Sequence, residues 1–125
     1  MIKYFINILG LLLIINSLTF AQLKTDNSLT MAEFKEKLKS DNNIVVLDVR
    51  TSEEFIGPLG KVESSINIPV QVLDQRINEL EKFKDKEIIV ICRTQNRSAV
   101  AVEYLKRAGF NAKNVLGGMV EFSKR

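Results

Sequence analysis

The chain has 125 residues, 46% of them hydrophobic and 26% charged, with a formal net charge of +3. That fits one compact domain with an ordinary core and leaves no room for a second. Basic residues are interleaved with acids, so there is no basic stripe for nucleic acid, and without histidine or carboxylates clustered at ligand spacing there is no ligand set for zinc or another transition metal.

Residues 1–21 differ from the rest. Lys3 supplies a positive start, Tyr4 to Leu18 is almost wholly apolar, and Thr19-Phe20-Ala21 carries the small residues expected at a cleavage site. The pattern is that of an export signal cleaved after Ala21, which places the mature protein in the periplasm or outside the cell. An uncleaved anchor needs about 20 apolar residues; this core is shorter and is interrupted by Asn7 and Asn16. No stable membrane anchor is therefore expected after cleavage. Residues 22–27 are polar and read as a linker, and 28–125 as the domain.

Along the domain, Thr30 followed by Glu33 is a capping box, and Met31, Phe34 and Leu38 recur at helical spacing up to Ser40. Asp41-Asn42-Asn43 ends that helix as a turn. Ile44 to Leu47 is a continuous apolar run, as in strands buried on both faces. Beyond it, Asp48 and Arg50 are either an ion pair that fixes the loop, the simpler reading, or active-site charges, and Thr51 or Ser52 caps a helical turn through Phe55. Gly57-Pro58-Leu59-Gly60 breaks any helix, and Ile66 to Pro69 is a brief strand. A second helix is expected from Gln71 to Phe83, with Val72, Leu73, Ile77 and Leu80 on its apolar side.

Ile88 to Ile91 is another apolar run, and it ends at Cys92, the only cysteine. The next helix is expected from about Ser98, with Val100, Ala101, Tyr104 and Leu105 facing inward and Gly109 as its terminal cap. Val115-Leu116 is a last short strand, Gly117-Gly118 a tight turn, and Met119 to Phe122 a final helical turn. Strands separated by helices imply an α/β fold, a small parallel sheet flanked by helices. In such sheets the carboxyl ends of the strands form the binding edge, so Cys92 and the loops after Leu47 and Ile68 should meet at one rim.

A lone cysteine is either a small buried hydrophobe or a reactive thiol. Here it lies at a strand end, beside Arg93 and Arg97, just before a helix N-terminus, and each of these features lowers a thiol's pKa. In an oxidising compartment structural cysteines come in pairs, so an unpaired one after export argues for chemistry. With no resolving thiol, a dithiol oxidoreductase is disfavoured.

From about Ser28 to Arg125 the chain resembles a single-domain rhodanese. Four pieces carry the likeness: Val46-Leu47-Asp48-Val49-Arg50 with Glu53-Glu54-Phe55; Asn67-Ile68-Pro69; the loop Cys92-Arg93-Thr94-Gln95-Asn96-Arg97-Ser98; and Leu116-Gly117-Gly118-Met119 with Phe122. The resemblance implies a sulfurtransferase in which Cys92 is the nucleophile and persulfide carrier, taking sulfur from a small anionic donor such as thiosulfate and passing it to cyanide or a thiol, with no cofactor. Arg93, Thr94, Gln95, Asn96, Arg97 and Ser98 would bind substrate and persulfide through backbone N–H groups and arginine charge. Only four residues separate Cys92 from Arg97; related phosphatases have five, which favours sulfur over phosphorus as the reacting atom.

The family commonly has glycine where this loop has Gln95, so either the loop is strained or its shape differs. Lys61 stands where a histidine is usual, Ser64-Ser65 where a Gly-Ala pair is usual, and Phe122 where tryptophan is commoner. Altered loops on an intact frame keep open a non-catalytic binding module, and oxidising surroundings keep open a thiol-based redox sensor.

Overall fold

A computed structural model describes residues 27–125. The expected export signal over 1–21 and all of the linker but Asn27 lie outside the described residues. The chain runs β1 (Ser28–Leu29), α1 (Met31–Ser40), β2 (Ile44–Asp48), α2 (Ser52–Phe55), β3 (Ile66–Asn67), a 3-10 turn (Val70–Val72), α3 (Leu73–Arg76), a 3-10 helix (Ile77–Phe83), β4 (Glu87–Ile91), α4 (Asn96–Arg107), β5 (Asn111–Val115) and α5 (Gly118–Phe122). The five strands form one parallel sheet in the order β1-β5-β4-β2-β3.

The central strands are buried on both faces because their apolar runs are continuous. Ile88 and Val90 of β4 join Leu47, Leu73, Leu80, Ala101 and Leu105 in one core layer. Ile89 and Ile91 point the other way, into a second layer with Val46, Phe34, Val115 and Met119. Thr30 caps α1 by accepting a hydrogen bond from the Glu33 N–H, and Gly109, at φ +90°, ends the α4 region in a left-handed turn. Phe122 packs on Phe34 with ring centroids 5.8 Å apart, so the aromatic substitution at this position is a packing change.

Four sequence expectations are corrected. The helix expected over Gln71 to Phe83 is broken into a 3-10 turn, one α turn and a longer 3-10 helix. Val70, Val72, Leu73, Ile77, Leu80 and Phe83 of this stretch all pack on the same core layer, a spacing that no single regular helix serves. Helix α4 begins at Asn96 rather than Ser98. Its buried positions are Ser98, Ala101, Val102 and Leu105; Val100 is 64% exposed and Tyr104 lies at the surface. Finally, the last strand starts at Asn111, four residues before the expected Val115, and β1 is a strand that the sequence did not announce.

Candidate active site

Register carries the strand ends to a common edge. Asp48 lies opposite both Ile91 and Asn67, and the ladder continues one step further, where the Val49 N–H donates to the Ile91 carbonyl and the Ile68 N–H to the Asp48 carbonyl. Cys92 is the next residue after Ile91, so it sits at this rim, 1% exposed. The loops after β2, β3, β4 and β5 meet around it, as the parallel-sheet argument requires.

Asp48 and Arg50 are both buried and paired. The Arg50 Nε–H donates to both carboxylate oxygens of Asp48 at 3.0 Å and its Nη2 to Oδ2 at 2.8 Å. The same guanidinium donates to the carbonyls of Glu54 (3.1 Å) and Gly60 (2.8 Å). These bonds tie the loop after β2 to the strand end. From the other side Asn67 Nδ2 donates to the carbonyls of Asp48 and Arg50.

The Cys92 loop is oriented by α5. Met119 N–H donates to the Cys92 carbonyl at 2.8 Å and Val120 N–H to the Arg93 carbonyl at 3.0 Å. Gly118 permits the approach: at φ +54°, a Cβ there would lie 2.4 Å from the Thr94 carbonyl oxygen and 2.5 Å from that of Cys92. Among the described residues, no group accepts a hydrogen bond from the backbone N–H of any residue from Arg93 to Ser98. The thiol sulfur itself meets Ser98 Oγ at 3.1 Å.

Gln95 settles the loop's shape. Its φ is −161°, extended backbone open to any residue, and it stands as the residue before α4. Its side-chain Oε1 accepts from the Gly117 N–H at 3.3 Å, and its carbonyl accepts from Ala99 N–H and Asn114 Nδ2. The loop is therefore unstrained at this position. Among the described residues the left-handed non-glycine residue is instead Ser64, φ 65°.

Arg97 does not stand free. Its Nη1 and Nη2 donate to the two carboxylate oxygens of Glu54 at 2.6 and 2.8 Å. The Arg97 hydrogen bonds hold Glu54 at a pKa of about 2, with further help from Thr51, against the opposing effect of burial. Arg97 is raised above the usual arginine range, first by the hydrogen bonds to Glu54 and then by the nearby acidic groups, Glu54 foremost, which outweigh burial. Arg93, Thr94 and Asn96 lie exposed on the loop's outer side. Among the described residues Arg93 has no ion-pair partner. Lys61 packs its ammonium 4.7 Å above the Phe55 ring. No group of three histidine, cysteine, aspartate or glutamate side chains among the described residues could hold a metal ion.

The family model for the rhodanese-like domain matches residues 30–125. The chain belongs to the rhodanese-like family. It is 34% identical over 92 residues to a putative sulfurtransferase, YtwF, of Bacillus subtilis, covering 74% of this chain and 85% of that one. It is 33% identical over 112 residues to the adenylyltransferase and sulfurtransferase MOCS3 of Arabidopsis thaliana, covering 78% of this chain but only 24% of that protein's length. The crystal structure of a rhodanese-related protein from Thermoplasma volcanium superposes with a TM-score of 0.68 at 40% identity, over 77% of this chain and 89% of the other.

Three residues of this rhodanese-like site have roles that the sequence did not announce. Glu54 is quoted among the resembling pieces and stands fourth in the capping box begun by Thr51, but neither pattern points to Arg97. Asn114 is one polar residue among several in β5. Gly118 is visible as half of a glycine pair, but its role comes from the loop pressed against it.

Proposed function

We propose that this rhodanese-like protein is an exported sulfurtransferase that carries sulfane sulfur on Cys92. The observation that supports it most is the run of backbone N–H groups from Arg93 to Ser98, none with an acceptor among the described residues, in the loop and helix start that directly follow one buried thiol. Free N–H groups at the start of a helix, with the helix dipole behind them, favour an anion placed among them. A persulfide extends the side chain by one anionic sulfur, which would give these donors their acceptor.

In the proposed reaction the Cys92 thiolate attacks the outer sulfur of thiosulfate; the S–S bond of the donor breaks and sulfite leaves with its electron pair. The product is the Cys92 persulfide. Cyanide carbon, or a thiolate, then attacks that outer sulfur; the protein S–S bond breaks, and thiocyanate or a new persulfide departs as the Cys92 thiolate re-forms. Atoms and charge balance without a metal or an oxidant. Arg93, exposed at the loop, supplies the positive charge that draws an anionic donor. Arg97, already neutralised by Glu54, serves the loop's shape more than its charge. The apolar stretch behind Lys3 supports export.

With thiosulfate and cyanide the protein is expected to release thiocyanate, and donor treatment alone to raise the intact mass by one sulfur atom. Cys92→Ser should abolish both. Absence of both signals with every sulfane donor tried rules the reading out.

A further inference from the structure

Cys92, Ser98 and Asn114 form a chain of hydrogen bonds whose polarity is set at its far end. Asn114 is buried in β5. Its Nδ2 donates to the Gln95 carbonyl at 3.1 Å, and a carbonyl can only accept, so the amide oxygen Oδ1 must face the other way, toward Ser98. Ser98 Oγ lies 2.6 Å from that oxygen. The serine hydroxyl has one proton, and this contact takes it. Toward Cys92, at 3.1 Å, Ser98 then presents only lone pairs. That arrangement suits a neutral thiol, whose S–H can donate, and opposes a sulfur anion, which needs a donor.

We propose that Asn114 is a positioning residue that turns the Ser98 hydroxyl away from Cys92 while the sulfur is a thiol and gives it up when the sulfur becomes anionic. The hydroxyl is a rotor: turning about its C–O bond moves the proton from Asn114 Oδ1 to the sulfur without displacing a heavy atom. Asn114 competes with the sulfur anion for one proton. The lone thiol is thereby kept less prone to oxidation at rest, and the same hydroxyl becomes a donor once negative charge has formed.

Other charges around the sulfur are accounted for. Arg97 of α4 lies near Cys92 and Asp48 and is clamped by Glu54 of α2. Asp48 and Arg50 neutralise each other at the end of β2. On β5 Lys113 pairs with Glu87, and on α5 Glu121 pairs with Lys124. Arg93 is exposed on the loop itself. All of these are kept in the variants below.

The proposal takes from the proposed function only that Cys92 is the reacting thiol. It is tested by the pH dependence of Cys92 alkylation with iodoacetamide, with no sulfur donor present, so a failed thiocyanate assay and a failed alkylation shift are separate results. Asn114→Leu, close to isosteric, frees the Ser98 hydroxyl to donate to the thiolate. The alkylation midpoint should fall by about one pH unit, making the reaction about tenfold faster at a fixed pH below it. In a Ser98→Ala background the same substitution should have no such effect. A midpoint that stays or rises in Asn114→Leu, or a fall that persists without Ser98, overturns the proposal. The wild-type protein supplies a second readout that needs no folded Asn114 variant. Its Asn114 side-chain amide resonances should move with Cys92 ionisation and lose most of that movement in Ser98→Ala; resonances that ignore the ionisation also overturn it.

Discussion

Glu54 and Arg97 join the loop after β2 to the loop that carries Cys92, through two charge-assisted hydrogen bonds of 2.6 and 2.8 Å. The pair fastens the two loops to each other, as Arg50 and Asp48 fasten the first of them to the sheet. Because Glu54 titrates at about 2 in the folded protein and at its ordinary 4.5 when free, the unfolded chain binds the proton first as pH falls. The stabilisation is thus fully present above pH 4.5 and is lost as pH falls through about 2. Both side chains are nearly one-third exposed, so solvent limits the contribution to about 1 kcal/mol. In thermal melts, Glu54→Gln should unfold several degrees below wild type at pH 7, and the gap should close between pH 4.5 and 2. A gap that does not change with pH would assign the loss to something other than this ion pair.

Gly118→Ala should separate activity from stability. The added Cβ meets backbone atoms of Cys92, Arg93 and Thr94 at 2.6 Å or less, and backbone cannot step aside as a flexible side chain can. The Cys92 loop must move, which withdraws the carbonyl contacts to Met119 and Val120 and displaces the free N–H groups that follow Cys92. We expect a loss of about 2 kcal/mol or more in urea unfolding, and thiocyanate formation reduced at least a hundredfold in the protein that remains folded.

Asp48→Ala removes the partner of a fully buried guanidinium. An unpaired buried charge typically costs about 3 to 5 kcal/mol, and Arg50 also holds the Glu54 and Gly60 carbonyls. Removing both groups in Asp48→Ala/Arg50→Met should cost less than the sum of the single changes, because no charge is then stranded. Equilibrium urea unfolding of the three variants measures this coupling.

Ser64→Gly and Gln95→Gly should differ in sign. Ser64 holds a left-handed backbone at φ 65°, which costs a residue with a Cβ about 1 kcal/mol, and glycine relieves that cost. Gln95 is extended and bonded to the Gly117 N–H, so glycine there relieves nothing and frees the unfolded chain. Thermal denaturation should rank Ser64→Gly above wild type and Gln95→Gly below it.

The reading of α4 shows where sequence reasoning stops. Val100, Ala101, Tyr104 and Leu105 form an apolar stripe at helical spacing, and so do Ala101, Val102 and Leu105 once Ser98 is counted with them. Hydrophobicity alone favours the first stripe. The structure selects the second, because Ser98 must face Cys92 and Asn114, and a hydrogen-bonded serine is a core residue in all but composition. Likewise β5 is concealed by Asn111, Lys113 and Asn114, whose polarity reads as loop although pairing with β4 runs from Asn111 to Asn114.

Within the chain, continuous apolar runs bounded by turn residues determined a parallel α/β sheet, and the strand-to-helix step at Cys92 determined which thiol stands at its rim. Those features are local: a run of β-branched residues, a capping box or a glycine pair acts within a few residues of itself. Tertiary structure alone decided what surrounds the sulfur. Glu54 reaches Arg97, Asn114 takes the Ser98 proton, and Gly118 admits the Cys92 loop only after four strand ends have been brought together. These contacts depend on sheet register and on hydrogen-bond polarity across the fold, quantities that no single stretch of sequence carries.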